Sequence, residues 1–286
     1  MPHVFAHLGA ATPDHWWHVW RFEPWLLAGI GIAIWTYVRG VRALDRRRPG
    51  IVPRWRRALF GGAIATLVIA LVSPLDGVAD ALFSVHMVQH LLLILVAAPL
   101  FVAGAPFLPF SFALPTRARR ALGRWYARTP AHRVGRWLTA APTAWGLHAA
   151  ALWYWHIPGP YQAAVASPPL HAFEHLCFFG TAILFWWPLL APFGRRLDGL
   201  GAVVYAFTMM MQGAALGAAL TFASAPWYPI HADGAAMWGI TLLDDQQMAG
   251  LIMWVPAGVV YVGVSAWLFV RWLDLRPARR VVELPL

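Results

Sequence analysis

The chain has 286 residues, of which 60% are hydrophobic and only 12% charged, and its mean hydropathy is positive. Soluble domains carry about 25% Asp, Glu, Lys and Arg, so this composition argues against a soluble enzyme and excludes intrinsic disorder. All 22 basic residues are Arg, set against 12 acids for a net charge of +10, and the single Cys excludes an intrachain disulfide framework and any multi-cysteine zinc or iron–sulfur site.

A bilayer core takes about 20 helical residues to cross, and seven apolar stretches reach or approach that length. In chain order they run from Glu23 to Arg39, Ala58 to Ser73, Leu82 to Ala103, Leu138 to Trp155, Leu170 to Ala191, Leu200 to Phe222 and Gln246 to Trp272. Their interiors are apolar all round, which suits membrane helices rather than amphipathic surface helices or alternating barrel strands. Residues before Pro24 lack the basic start and apolar run of a cleavable signal peptide, so the first stretch is expected to stay as an anchor. No internal repeat or low-complexity linker interrupts the pattern. The expected architecture is an all-α integral membrane protein, a seven-transmembrane helix bundle forming one polytopic domain over residues 1–286.

Arg placement orients the bundle. The first connection is Arg-rich from Arg39 to Arg57 and the third from Arg117 to Arg136; the fifth holds Arg195 and Arg196, and the tail Arg271, Arg276, Arg279 and Arg280. The even connections carry no Arg and hold Asp76, Asp80, Asp233, Asp244 and Asp245. By the positive-inside rule the N-terminus faces outward and the C-terminus the cytoplasm. Sorted this way, cytoplasmic segments hold 21 Arg against Asp45, Asp198, Asp274 and Glu283. The basic surplus is then an orientation signal and not a nucleic-acid footprint. The third connection, Pro115 to Trp137, interleaves Arg with Leu122, Trp125 and Tyr126. It reads either as a basic helix on the membrane surface or as a solvated loop.

The same topology sorts the 12 histidines, of which only His132 falls on the cytoplasmic side. His3, His7, His15 and His18 precede the first span and have no assigned role. Ser84 to His90 reads S-V-H-M-V-Q-H, and His171 to His175 reads H-A-F-E-H. In each, two His four apart share a helical face, with Cβ atoms about 5–6 Å apart. Both pairs lie near the outer ends of their spans, at similar depth. On facing helices they would supply four imidazoles, ligands that suit copper and zinc, and ionisable groups inside a membrane are costly enough to point to function. Taken singly, each His has the plainer reading of a hydrogen-bonded core residue. His156 in H-I-P-G-P-Y, Glu174 and Asp245 are candidates to complete or tune such a site. Asp245 reads equally well as an acidic helix cap. Met87, Met248 and Met253 offer thioethers suited to Cu(I), although Met in an apolar helix ordinarily packs.

Two other chemistries stay open on the residues alone. H-A-F-E-H matches the inverted zinc-protease motif, with Glu174 as base and Asp245 or Asp80 as a third ligand. Paired membrane histidines also ligate haem in electron carriers. The classes are thus a metal-handling protein, an intramembrane zinc-dependent hydrolase and a haem-binding carrier.

The motifs together carry a resemblance. S-V-H-M-V-Q-H (84–90), A-P-L-F-V-A-G-A-P (98–106), H-I-P-G-P-Y (156–161), H-A-F-E-H (171–175), F-W-W-P (185–188) and D-Q-Q-M-A-G-L-I-M-W (245–254) resemble the CtaG family of cytochrome c oxidase assembly factors, the multi-span bacterial type linked to caa-type oxidases. The resemblance runs from the third stretch to the seventh. It implies a multi-pass protein of the bacterial inner membrane that matures a haem–copper oxidase by handling copper, without a catalytic bond-breaking step. The implied cargo is copper, as Cu(I) or Cu(II), with zinc the alternative. The implied partners are oxidase subunits, soluble periplasmic copper chaperones and the lipid bilayer. On this basis His86, His90, His171 and His175 are expected to form an outward-opening copper site. His156, Glu174 and Asp245 would tune or complete it, and Met87 and Met248 would help accept Cu(I).

Overall fold

The computed structural model describes residues 11–192 and 196–274; His3, His7, Arg195, Arg276, Arg279, Arg280 and Glu283 lie outside them. The described chain is all-helical. A short turn, Trp16–His18, leads into α1 (Pro24–Asp45), whose proline occupies the first turn, where a missing N–H costs nothing. Then come α2 (Arg54–Leu71) and α3 (Pro74–Ala81), bent by 44° to each other, with the Ser73 hydroxyl accepting from Leu75 N at the start of α3. The third apolar stretch is helical throughout: α4 (Phe83–Leu91), a widened π-helical turn (Leu92–Ala97) and α5 (Ala98–Gly104). Pro99 brings no N–H to the widened turn, and the indole of Trp186 donates to the Ile94 carbonyl instead (2.9 Å).

Short helices follow: α6 (Phe107–Ala113), α7 (Thr116–Arg128) and α8 (Ala131–Leu138). The Pro115 to Trp137 connection is thus mostly helical, with Trp125, Tyr126 and Trp137 exposed. Next are α9 (Ala141–Trp155), α10 (Pro158–Val165), α11 (Pro168–Leu190), α12 (Leu200–Thr221), the turn Pro229–His231, α13 (Ala232–Met237) and α14 (Leu242–Asp274). The last helix begins four residues before the expected Gln246. Asp244 N donates to Thr241 Oγ1 while that hydroxyl donates to the Asp244 carboxylate, a reciprocal cap.

Among the described residues, five helical stretches are long and apolar enough to cross a bilayer, or six if the bent α2–α3 pair counts as one. They are Pro24–Asp45, Phe83–Gly104, Pro168–Leu190, Leu200–Thr221 and Leu242–Leu273. The fourth expected span is shorter than Leu138 to Trp155 suggests. Its helix starts at Ala141, with Pro142 in the first turn, and has 15 residues, about 22 Å of rise. α9 packs against α11 and α12, α4 against α14, and α2 against α5. α12 and α14 approach closely at paired glycines: a Cβ on Gly217 would lie 3.0 Å from the Gly250 carbonyl. The largest core cluster stacks Phe185 on Tyr205 and Trp186 on Tyr261. It holds α11, α12 and α14 together beneath the histidines.

Candidate metal centre

α4 and α11 bring both His pairs to one place. Ring centroids are 4.4 Å apart for His86–His90, 4.2 Å for His171–His175, 5.0 Å for His86–His171 and 5.3 Å for His90–His175. His86 Nε2 and His90 Nε2 approach to 2.9 Å, and Glu174 Oε1 lies 3.9 Å from His90 Nε2. His86, His90, Glu174 and His175 are buried; His171, one turn further toward the helix start, keeps partial exposure.

Two donor groupings fit a metal ion: His86, His90 and His175, and His86, His171 and Glu174. In each, the ligand atoms all lie within 4.8 Å of one another. The fit is independently visible in the polar bookkeeping. His86 Nδ1, His90 Nδ1, His171 Nε2, His175 Nε2 and both Glu174 oxygens are buried without a hydrogen-bond partner among the described residues. An unsatisfied buried polar group costs about 1–3 kcal/mol, and more when charged. Six such atoms in five neighbouring side chains are a large uncompensated cost, and a cation held by either grouping would offset part of it.

Distant elements hold α4 in place. Asp245 reaches from α14 to the start of α4, its carboxylate oxygens accepting from Phe83 N (2.7 Å) and Ser84 N (3.0 Å). Both oxygens are thus engaged by backbone. On the far face of α4, Gln89 Nε2 donates to the Ala70 carbonyl (2.7 Å) and to the Asp76 carboxylate. Arg21 pairs with Asp76 and Asp80, closing the ring at this end of the bundle.

The other histidines and methionines lie at differing distances from this cluster. His156 stands 6.3 Å from His90 between ring centroids, with Met87 beside it. Met248 is 46% exposed and outside the cluster. His148 donates to Thr181 Oγ1 (3.0 Å) and packs on Phe185, as a core histidine does. His15 and His18 are exposed, away from the buried imidazoles.

Sequence reasoning missed one pair beside the site. Tyr161 from α10 bonds His231 from the Pro229–His231 turn (2.7 Å), with both rings against His86. Burial holds the Tyr161 hydroxyl well above its usual range, and burial lowers His231, partly opposed by the Asp245 carboxylate. The phenol therefore keeps its proton and donates it to a neutral imidazole. The only signal was a tyrosine two residues past Pro158-Gly159 and a histidine between α12 and α13.

The model of the cytochrome c oxidase caa3 assembly factor family matches residues 35–274, nearly the whole described chain. The chain belongs to this family. The match extends the resemblance seen in the motifs back into the first span. An uncharacterized protein of Mycobacterium bovis and one of Mycobacterium tuberculosis are each 29% identical to the chain over 272 residues, and one of Mycobacterium leprae is 27% identical over 271. The first two alignments cover 93% of this chain but 40% of each relative, and the third 89% and 39%. The chain thus spans about two-fifths of the length of these curated relatives. No solved structure matches the chain. Membership of this family, with the apolar helices, makes this a multi-pass membrane protein.

Proposed function

We propose that this assembly factor binds copper as cargo at the His86, His90, His171 and His175 cluster and passes it to a haem–copper oxidase in the membrane. The observation that carries this is the meeting of His86, His90, His171, Glu174 and His175 from α4 and α11 in two groupings able to hold a metal ion, with six of their polar atoms unpartnered. Imidazole with one carboxylate suits copper and also zinc. The 2.9 Å approach of two ring nitrogens on one helix supports a small ion over a haem, which needs a macrocycle's thickness between its ligands. Asp245 acts in this reading by pinning α4, with its oxygens committed to backbone.

The orientation that goes with this function has the N-terminus outside the bacterial inner membrane and the C-terminus in the cytoplasm, across seven crossings. Its support is the alternation of Arg-rich and acidic connections; α2 and the short α9 would complete the count. Copper would then enter past His171, from the periplasmic side, where soluble chaperones can present it. The oxidase subunits would dock within the bilayer.

The experiment is metal analysis of the purified protein together with the copper content of the oxidase it serves. Loss of the copper equivalent held by the imidazole cluster and a copper-deficient oxidase are expected for His86→Ala and His175→Ala. Full copper in both variants rejects the proposal. Glu174→Gln separates the hydrolase alternative: a carrier is weakened, whereas a zinc hydrolase with Glu174 as base loses its activity.

A further inference from the structure

His156 caps α9 with its Nδ1 2.6 Å from the Leu152 carbonyl. A carbonyl only accepts, so Nδ1 carries the proton, and in the neutral ring Nε2 is a bare lone pair. That nitrogen faces Met87 Sδ at 3.4 Å. Thioether sulfur is also a lone-pair donor with no proton to share. Two electron-pair donors thus point at each other in a buried site: His156 is 4% exposed and Met87 1%.

The pair opens onto a cavity of about 50 Å³, also lined by His90, Met209 and Met253. Met253 packs against the buried cluster that contains Met87. Met209 is already engaged, its sulfur accepting from Gln212 Nε2 (2.8 Å). The cavity exceeds the volume a single water needs, and its walls are otherwise aliphatic apart from Tyr261.

From this geometry we propose a second cation station, distinct from the four-imidazole cluster, in which His156 Nε2, Met87 Sδ and Met253 Sδ hold a soft monovalent d10 ion, Cu(I). With metal–nitrogen and metal–sulfur bonds of about 2.0 and 2.3 Å, the 3.4 Å separation sets an N–metal–S angle of about 104°. That angle is far from linear and leaves the cavity side open for a third ligand. Thioether donors select Cu(I) over Zn(II). The neutral donors bind it without releasing a proton or transferring an electron. The short separation of His90 and His156 makes the station a single step inward from the imidazole cluster, toward the interior of the bundle. The proposal rests on the copper reading only for the source of its ion.

The test uses the full-length protein in detergent, titrated anaerobically with Cu(I), with Ag(I) as surrogate, and separately with Zn(II). X-ray absorption at the copper edge of the Cu(I)-loaded wild type is expected to show sulfur scattering at about 2.3 Å. Met87→Leu and Met253→Leu, near-isosteric changes, are expected to remove that shell and one equivalent of Ag(I) per chain while Zn(II) binding stays. His86→Ala with His175→Ala is expected to do the reverse. A nitrogen-and-oxygen-only copper shell in the wild type overturns the second station, without needing any variant to fold. So does sulfur scattering that survives the Met87→Leu/Met253→Leu double variant, or joint loss of Ag(I) in the Met and His variants, which would mean one mixed site. Loss of neither Zn(II) nor Cu(I) in the His86/His175 variant would instead sink the imidazole site and leave the thioether station standing.

Discussion

Replacing Asp245 with Ala tests what holds the imidazoles in place. The Asp245 carboxylate accepts from two buried backbone N–H groups, Phe83 N at 2.7 Å and Ser84 N at 3.0 Å. Hydrogen bonds to a charged group contribute about 1.5–3 kcal/mol each, and losing the partner strands the donor. The two together amount to about 3–6 kcal/mol. Asp245→Asn keeps one acceptor and turns an NH2 toward the other N–H, so about half that loss is expected. His86 lies one turn beyond these donors, and metal binding should fall with stability in the order wild type, Asn, Ala. The assay pairs thermal unfolding in detergent with copper and zinc stoichiometry. If Asp245→Ala binds no metal but unfolds within about 1 kcal/mol of wild type, Asp245 is a ligand and the anchoring argument is wrong.

Three further outcomes follow from the packing. Burial lowers His231 below its ordinary value, so its neutral form stabilises the fold above about pH 6.5, and that contribution is lost as pH falls through the folded-state value. His231→Gln should flatten the acid-side decline in melting temperature by at most one proton's worth, about 1.4 kcal/mol per pH unit; an unchanged slope between pH 7 and 5 refutes it. Trp186→Phe strips the donor from the buried Ile94 carbonyl and should cost about 1–3 kcal/mol in denaturant unfolding; a neutral result means another donor serves that carbonyl. Gly40→Ala drives a Cβ into the Pro109 backbone where α1 meets α6. It should destabilise by at least about 1–3 kcal/mol, whereas Gly29→Ala, with open space around it, should not; equal melting points for the two would contradict the packing of α1 on α6.

The local parts of the site were legible because they obey helical spacing. His86/His90 and His171/His175 declare a shared face within each segment, and bilayer length alone locates the spans that carry them. That the two faces meet was not legible, because no local pattern encodes which helices adjoin. The same limit hid Tyr161 and His231, which reach His86 from separate segments. It also left Asp245 ambiguous, since an acidic residue opening α14 gives no hint that it caps α4. Met248 shows the same limit: position near one end of a span says nothing about facing, and its side chain is half exposed. The α9 boundary slipped because Leu138 to Ala140 is apolar enough to extend a span but lies beyond the helix start at Ala141.

The bond from Asp245 to the start of α4 also places the centre in time. Phe83 and Asp245 are 162 residues apart, about 8–30 s of synthesis at about 5–20 residues per second. Throughout that interval α4 is in the membrane with its first turn unpinned, and the cluster lacks the carboxylate that sets the depth of His86 and His90. Only the arrival of α14 completes the cup. A chain made only as far as α13 therefore lacks the anchor that fixes the start of α4, and with it the position of His86 and His90.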